Sequence, residues 1–246
     1  TTSSNTQGTI TSTVQANTDA GFSIVLYTGN GSSNADVTIG HGLTNLTPRM
    51  VIVKNRTDTD GRRWQVYHED LSTDATYTKK NIILNLTNGE SGYSSQIKAV
   101  SSTTFTVRDV DANDNKHVNK SGSNYVAYVF AEVEGYSKFG SYVGNGSTDG
   151  TYVHLGFRPA FLLIKSTTSG RHWVIKDSAR DTFNVANKTL LANSNTTEDT
   201  SSSFDVDFLS NGFKCRTSLA HTNTSGETHI YMAFGDGNTA KFGNSR

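Results

Sequence analysis

The residues able to do chemistry fall into a few short groups. Glu69 and Asp70 follow His68, and Asp177 stands four residues before Asp181. A pair of carboxylates is the minimum apparatus of glycoside hydrolysis, one serving as acid and the other as base or nucleophile. Glu69 and Asp70 are adjacent, however, so on a strand they point to opposite faces. Asp177-Ser-Ala-Arg180-Asp181 reads as a turn held by an arginine–carboxylate pair. His41, His154 and His172 stand apart from one another, and there is neither a Gly-x-Ser-x-Gly elbow nor a His-Glu-x-x-His pair. Asp109-x-Asp111-x-Asn113-Asp114-Asn115 spaces oxygen ligands as a calcium loop does, but lacks the glycine at its sixth position and the glutamate at its twelfth. A lone Cys215 excludes an intramolecular disulfide and a cysteine-based zinc site, and reads as a small core residue. The expectation is a protein without catalytic residues, metal or cofactor.

Binding is a different matter. Trp64 and Trp173 could stack on sugar rings, yet Trp64-x-Val66 and Trp173-x-Ile175 put each indole on a strand face with an aliphatic neighbour, the pattern of a core anchor. Tyr77, Tyr93, Tyr142 and Tyr152, near turns, are the better sugar-stacking candidates. Tyr27-Thr-Gly-Asn-Gly-Ser32 and Tyr142-Val-Gly-Asn-Gly-Ser147 read as tight turns needing positive φ, and no Gly-Lys-Ser/Thr follows them to make a phosphate loop. No binding residue is assigned from sequence.

Composition narrows the classes. In 246 residues, 22 Lys+Arg balance 22 Asp+Glu, which argues against a phosphate-driven nucleic-acid binder. No run approaches a membrane span, and no signal peptide is visible in the Thr/Ser/Asn-rich opening. With 12 Phe and 10 Tyr the chain has enough apolar surface for a core. The nine Asn-x-Ser/Thr sequons, beginning at Asn30 and Asn45, are what a chain rich in Asn, Ser and Thr yields by accident.

Behind these groups stands an internal repeat. Beside the two Gly-Asn-Gly loops, Arg49–Lys54 after Pro48 matches Ala160–Lys165 after Pro159, and Arg63-Trp64 matches His172-Trp173. Phe105–Arg108 matches Phe213–Arg216, and Ser121–Phe130 matches Ser225–Phe234. Both prolines and both tryptophans of the chain fall at equivalent places, which argues for a duplicated unit. Phe22, Ile24 and Leu26 alternate, as do Trp64, Val66 and His68, and Phe105 with Val107; Met50–Val53, Phe161–Ile164 and Tyr125–Phe130 read as strands buried on both faces. Asn-Gly at Asn30, Asn88, Asn145 and Asn211 marks hairpins. No long helical stripe is present; Asp177–Thr182 makes about one turn. The predicted fold is all-β: two tandem, duplicated antiparallel β-sandwich or jelly-roll-like units over 21–135 and 136–236. A linker or arm at 1–20 precedes them, and a tail at 237–246 has Lys241-Phe-Gly-Asn244 resembling the start of a further repeat in a chain cut from a longer one.

The segments Tyr142–Gly150, Gly156-Phe-Arg-Pro-Ala-Phe161, Ile164-Lys165, Trp173-Val-Ile175 and Asp177–Arg180 resemble a recurrent domain of bacteriophage virion proteins. That domain occurs especially in tail-fibre-like and other large structural proteins of marine phages. Gly40-His41-Gly-Leu43, Val53–Arg56, Trp64–His68 and Tyr128–Gly135 fit the same pattern. The resemblance implies a non-enzymatic virion component at the particle surface, foremost a tail-fibre adhesin module for host attachment. Its partners would be other virion proteins and a host-surface glycan or protein, with no nucleic acid and no membrane insertion. Homo-oligomers are expected, a trimer foremost by analogy. The rivals are a capsid decoration or fibre protein binding other virion proteins, and a fragment of a polysaccharide depolymerase.

Overall fold

Short runs of β-branched and aromatic residues, punctuated by glycine and asparagine, fold as strands throughout. The computed structural model describes residues 1–57, 63–75, 78–92, 95–109, 118–219 and 221–236. The chain divides into two compact units: Thr1–Leu84 with Glu90–Glu132, and Asn85–Gly89 with the chain from Val133 onward. Among the described residues every pairing between strands is antiparallel, and the only helical element is a single 3-10 turn at Ser202–Phe204.

The first unit contains β1 (Ser3–Asn5), β2 (Ser12–Asn17), β3 (Phe22–Thr28), β4 (Asp36–Gly40), β5 (Pro48–Asn55) and β6 (Gln65–His68). There follow β7 (Thr73–Asp74), β8 (Thr78–Lys79), β9 (Ile82–Ile83), β10 (Ser95–Val100), β11 (Thr104–Asp109) and β12 (Asn124–Ala131). One sheet runs β1-β2-β3-β12-β5-β6-β9, a second β10-β11-β4, and β7 pairs with β8. Val25, Tyr27, Val51, Val53, Tyr125 and Ala127 of the large sheet meet Val37, Ile39, Ile97, Phe105 and Val107 of the small one. This sandwich-like core supplies roughly 1.5–3 kcal/mol per fully buried large side chain.

The second unit contains β13 (Ser137–Val143), β14 (Tyr152–His154), β15 (Pro159–Ser166) and β16 (Trp173–Asp177). After these come β17 (Leu190–Leu191), β18 (Val206–Leu209), β19 (Gly212–Cys215) and β20 (Thr228–Gly235). Its sheets run β13-β20-β15-β16-β17 and β14-β19-β18. Tyr142, Leu162, Ile164, Val174 and Tyr231 pack against Val153, Val206, Phe208, Phe213 and Cys215. Pro48 and Pro159 each open a strand beside an irregularity in that same strand, at Arg49 and Ala160, the kind of place where a sheet tolerates a proline.

The Gly-Asn-Gly loops are locks. Tyr27 donates its hydroxyl to Val118 O at 2.7 Å, and Tyr142 donates to Thr222 O at 2.6 Å. The next residue in each case, Asn119 or Asn223, is fully buried and holds the loop through its amide. Asn223 Nδ2 donates to Asn145 Oδ1, Ser147 O and Thr217 O at 2.9, 2.8 and 2.8 Å, while its Oδ1 accepts from the Asn145 N–H at 3.1 Å. Gly146 has φ of 66°, and a Cβ on Gly144 would lie 2.3 Å from Thr224 O, so both glycines are required there.

Three local expectations are corrected. Phe22, Ile24 and Leu26 do not face the core; Val25 and Tyr27 do, because the Tyr27 ring and its hydroxyl have partners only on that side. Of the four Asn-Gly pairs only Asn211-Gly212 lies at a two-residue hairpin, whose loop is Ser210-Asn211 with Gly212 opening β19 opposite Leu209. Residues 1–20 are not a free linker: β1 and β2 extend the large sheet of the first unit, with Ile10 and Val14 in its core. The tail 237–246 lies outside the described residues.

Candidate functional site

The carboxylates of the first subsection are held in structural bonds. Glu69 Oε2 accepts from the Tyr67 hydroxyl at 2.5 Å, Asp70 faces Arg49 at 3.6 Å, and His68 Nδ1 accepts from the Asp70 N–H. Asp177 caps its turn: Oδ1 accepts from the Ala179 and Arg180 amides, and Oδ2 meets the Arg180 guanidinium at 2.5 Å. Asp181 Oδ2 accepts from the Lys188 amide. Buried His41 is fixed between Ser101 O and the Leu43 N–H, and burial lowers its pKa. Cys215 is buried, its thiol pushed up to about 11 by desolvation.

The aromatic candidates separate. Tyr142 is 8% exposed, its hydroxyl bonded to Thr222 O and its ring stacked on His229, so it has no face for a sugar. Tyr152 is 43% exposed and lies beside His154, its hydroxyl 3.2 Å from Nδ1. Trp173 is buried, whereas Trp64 is half-buried and stacks on Tyr128 with the Lys54 ammonium 5.7 Å from the ring. Tyr77, Tyr93, Asp111, Asn113, Asp114 and Asn115 lie outside the described residues. No described group of three His, Cys, Asp or Glu is placed to hold a metal ion.

The candidate site is a cleft of about 670 Å³ in the second unit. His172, immediately before β16, and Leu191 of β17 form one side. The polar run Thr196–Ser201 forms the rim, and Phe204 with His221 completes the lining. The volume falls in the range of small-molecule sites, while the lining is more polar and the cleft more open than is usual for them.

The rim is tied down at several points. Thr189 and Asp199 exchange backbone hydrogen bonds at 2.8 and 2.9 Å, the Arg180 guanidinium holds Glu198 at 2.9 Å, and the Ser201 N–H donates to Asp199 Oδ1 at 2.7 Å. Those Ser201 bonds keep the Asp199 carboxyl below its ordinary range. The imidazole of His221 stacks on Phe204 at 5.0 Å and lies 5.1 Å from that of His172. Burial, reinforced by His172, Arg171 and Lys165, pushes the His221 pKa down to about 4.

Tautomers follow from the bonds. Asn193 Oδ1 accepts from the Trp173 N–H at 2.8 Å, so its Nδ2 is the atom 2.9 Å from His172 Nδ1, and that nitrogen is an acceptor. His221 Nδ1 likewise accepts from the His172 N–H at 3.1 Å. Both rings therefore carry their proton on Nε2. Among the described residues no carboxylate is hydrogen-bonded to either ring, the contact that orients the base in a nucleophilic triad. The cleft brings together two imidazoles, several hydroxyls, the Glu198 and Asp199 carboxylates and the apolar Leu191.

Of these residues only His172 stood out in the sequence. His221, Phe204 and the 196–201 run come from separate loops; the density of hydroxyls and carboxylates in Thr196-Thr-Glu-Asp-Thr-Ser201 was the one available signal. No curated protein and no solved structure matches the chain. A family profile matches residues 1–237, spanning both units. The chain belongs to that family, described as a domain of unknown function (DUF7483).

Proposed function

We propose that this chain is a non-enzymatic structural module made of one β-sandwich duplicated in tandem, and that it serves at the surface of a bacteriophage particle in a tail fibre or other host-attachment appendage. The observation that carries the reading is the correspondence between the units. Taking β3, β4, β5, β6, β9, β10, β11 and β12 in turn, each has a counterpart in β13 to β20 in the same sheet order, the first unit adding β1 and β2 at the edge beside β3. The buried Tyr–Asn lock on a Gly-Asn-Gly loop also occurs in both units. A duplicated, weakly charged β unit with hydroxyl- and amide-rich turns suits a spacer that presents loops to a partner. The phage assignment rests on the resemblance of the repeated segments. The partners would be other virion proteins and a host-surface molecule, in a symmetric homo-oligomer, a trimer for a fibre.

Labelling the protein in intact particles, with its copy number measured by quantitative mass spectrometry, tests this. Label at the tail in a low copy number is expected. Hundreds of copies over the head would replace the fibre reading with a capsid-decoration role. Release of reducing ends from host polysaccharide would overturn the non-enzymatic reading.

A further inference from the structure

We propose that the cleft of the second unit is a carbohydrate site that takes a short, uncharged sugar; this deepens the attachment reading above and rests on it. Three features of the cleft choose the ligand class.

The first is hydrogen-bond polarity. Both Nδ1 atoms of His172 and His221 are consumed by Asn193 and by the chain, and no described residue engages either Nε2. Two imidazole N–H groups on lining residues are thus left for a ligand, alongside the Asp199 carboxylate and the Thr and Ser hydroxyls of the rim. A sugar hydroxyl both donates and accepts, so adjacent hydroxyls can satisfy a carboxylate and an imidazole N–H at once. The second is the floor: Phe204 is buried and backs the His221 ring, which with the partly buried Leu191 leaves a small apolar patch for the C–H face of a pyranose. The third is charge. Glu198 shares the Arg180 guanidinium with Asp177, Asp199 is not paired with a cation at bonding distance among the described residues, and neither lysine nor arginine lines the cleft. A sialylated or sulfated sugar would meet the Asp199 charge with only cations outside the lining, Lys176 and Arg171 among them, to offset it. The rim bonds through Thr189, Arg180 and Ser201 fix these groups beforehand, which lowers the ordering cost of binding.

The test is an NMR titration of the full chain, labelled with nitrogen-15 at histidine and backbone amides. The probes are the methyl glycosides of glucose, galactose, mannose and N-acetylglucosamine, with sialyllactose as the charged comparator. At least one neutral glycoside should shift the His172 and His221 Nε2 signals and the 196–201 amides, and sialyllactose should not. Asp199→Asn should weaken that binding about tenfold, the size of one lost charge-assisted bond. Thr197→Arg, on the exposed rim, should block the cleft without touching the core. Tyr152→Ser, outside the cleft, should leave the shifts as they are. If no glycoside perturbs these signals, if the shifts lie elsewhere, or if sialyllactose binds as tightly, the site assignment is wrong. Particle labelling decides the attachment reading separately, so a chain found at the tail with a silent cleft would sink this inference alone.

Discussion

Replacing Asn223 by alanine should destabilise the second unit by about 3–4 kcal/mol. The side chain has four hydrogen-bonding partners, donating to Asn145 Oδ1, Ser147 O and Thr217 O and accepting from the Asn145 N–H. It is fully buried, so no solvent replaces them. The amide has two N–H hydrogens for its three acceptors, so these amount to three bonds, about 3 kcal/mol at roughly 1 kcal/mol each, and the cavity left by a fully buried side chain brings the loss to the stated range. Asn119 in the first unit has fewer good partners: Asn30 N–H at 3.0 Å, Asn30 Oδ1 at 2.9 Å and Ser32 O at a weak 3.4 Å. Asn119→Ala should therefore cost about 2 kcal/mol. Asn223→Asp should cost more than alanine, because a carboxylate would face three acceptor oxygens. The two tryptophans make the assay specific, Trp64 lying in the first unit and Trp173 in the second. In a Trp64→Phe background, urea unfolding followed by fluorescence reports the second unit alone, and in a Trp173→Phe background the first. A loss of under about 1 kcal/mol at the Trp173 probe for Asn223→Ala would refute the lock. So would an equal loss there for Asn119→Ala.

Further outcomes follow from the second unit's buried groups. Burial holds His221 and His229 down at about 4, below the unfolded value of about 6.5, so the folded state resists protonation and stability should fall as pH drops between those values. A urea midpoint unchanged over that range would contradict it. Burial also lowers Lys165 to about 7 and Lys176 to about 8, so the unfolded chain binds more protons above neutrality and stability should rise from about pH 7 towards 10; Lys165→Met should flatten that slope in the same titration. Gly144→Ala should cost about 1–3 kcal/mol, since its Cβ would lie 2.3 Å from Thr224 O, and a neutral result in urea unfolding would overturn the close-packing account. Cys215, buried and pushed up to about 11, should react with iodoacetamide only as the second unit unfolds; fast labelling of the native chain would refute its core placement.

Strands were legible where alternation and burial agree. Phe105 and Val107 face the core as their spacing predicts, and Met50–Val53 is buried on both faces. β3 was misread because both its faces are apolar, so periodicity alone had no means of choosing Tyr27 over Phe22. The opening segment looked like a linker because its strands are polar and lie at a sheet edge, where half the residues face water. The structural roles of Asp177, with its arginine turn, and of Cys215 could be read locally. The cleft could not, since His172, Phe204 and His221 meet only after the chain has folded, and nothing in the spacing of loop residues encodes that.

In both units the strand at the heart of the larger sheet is supplied last. β12 sits between β3 and β5, and β20 between β13 and β15, so each is needed to join partners synthesised long before it. A nascent second unit consequently carries β13 with no strand to pair with, and β15 with one bare edge, until Thr228–Gly235 leaves the ribosome. Such edges recruit other chains. Deleting Thr228–Gly235, or stalling translation just ahead of it, would yield insoluble product in place of a slightly smaller sandwich, so any recombinant version of this unit has to retain β20.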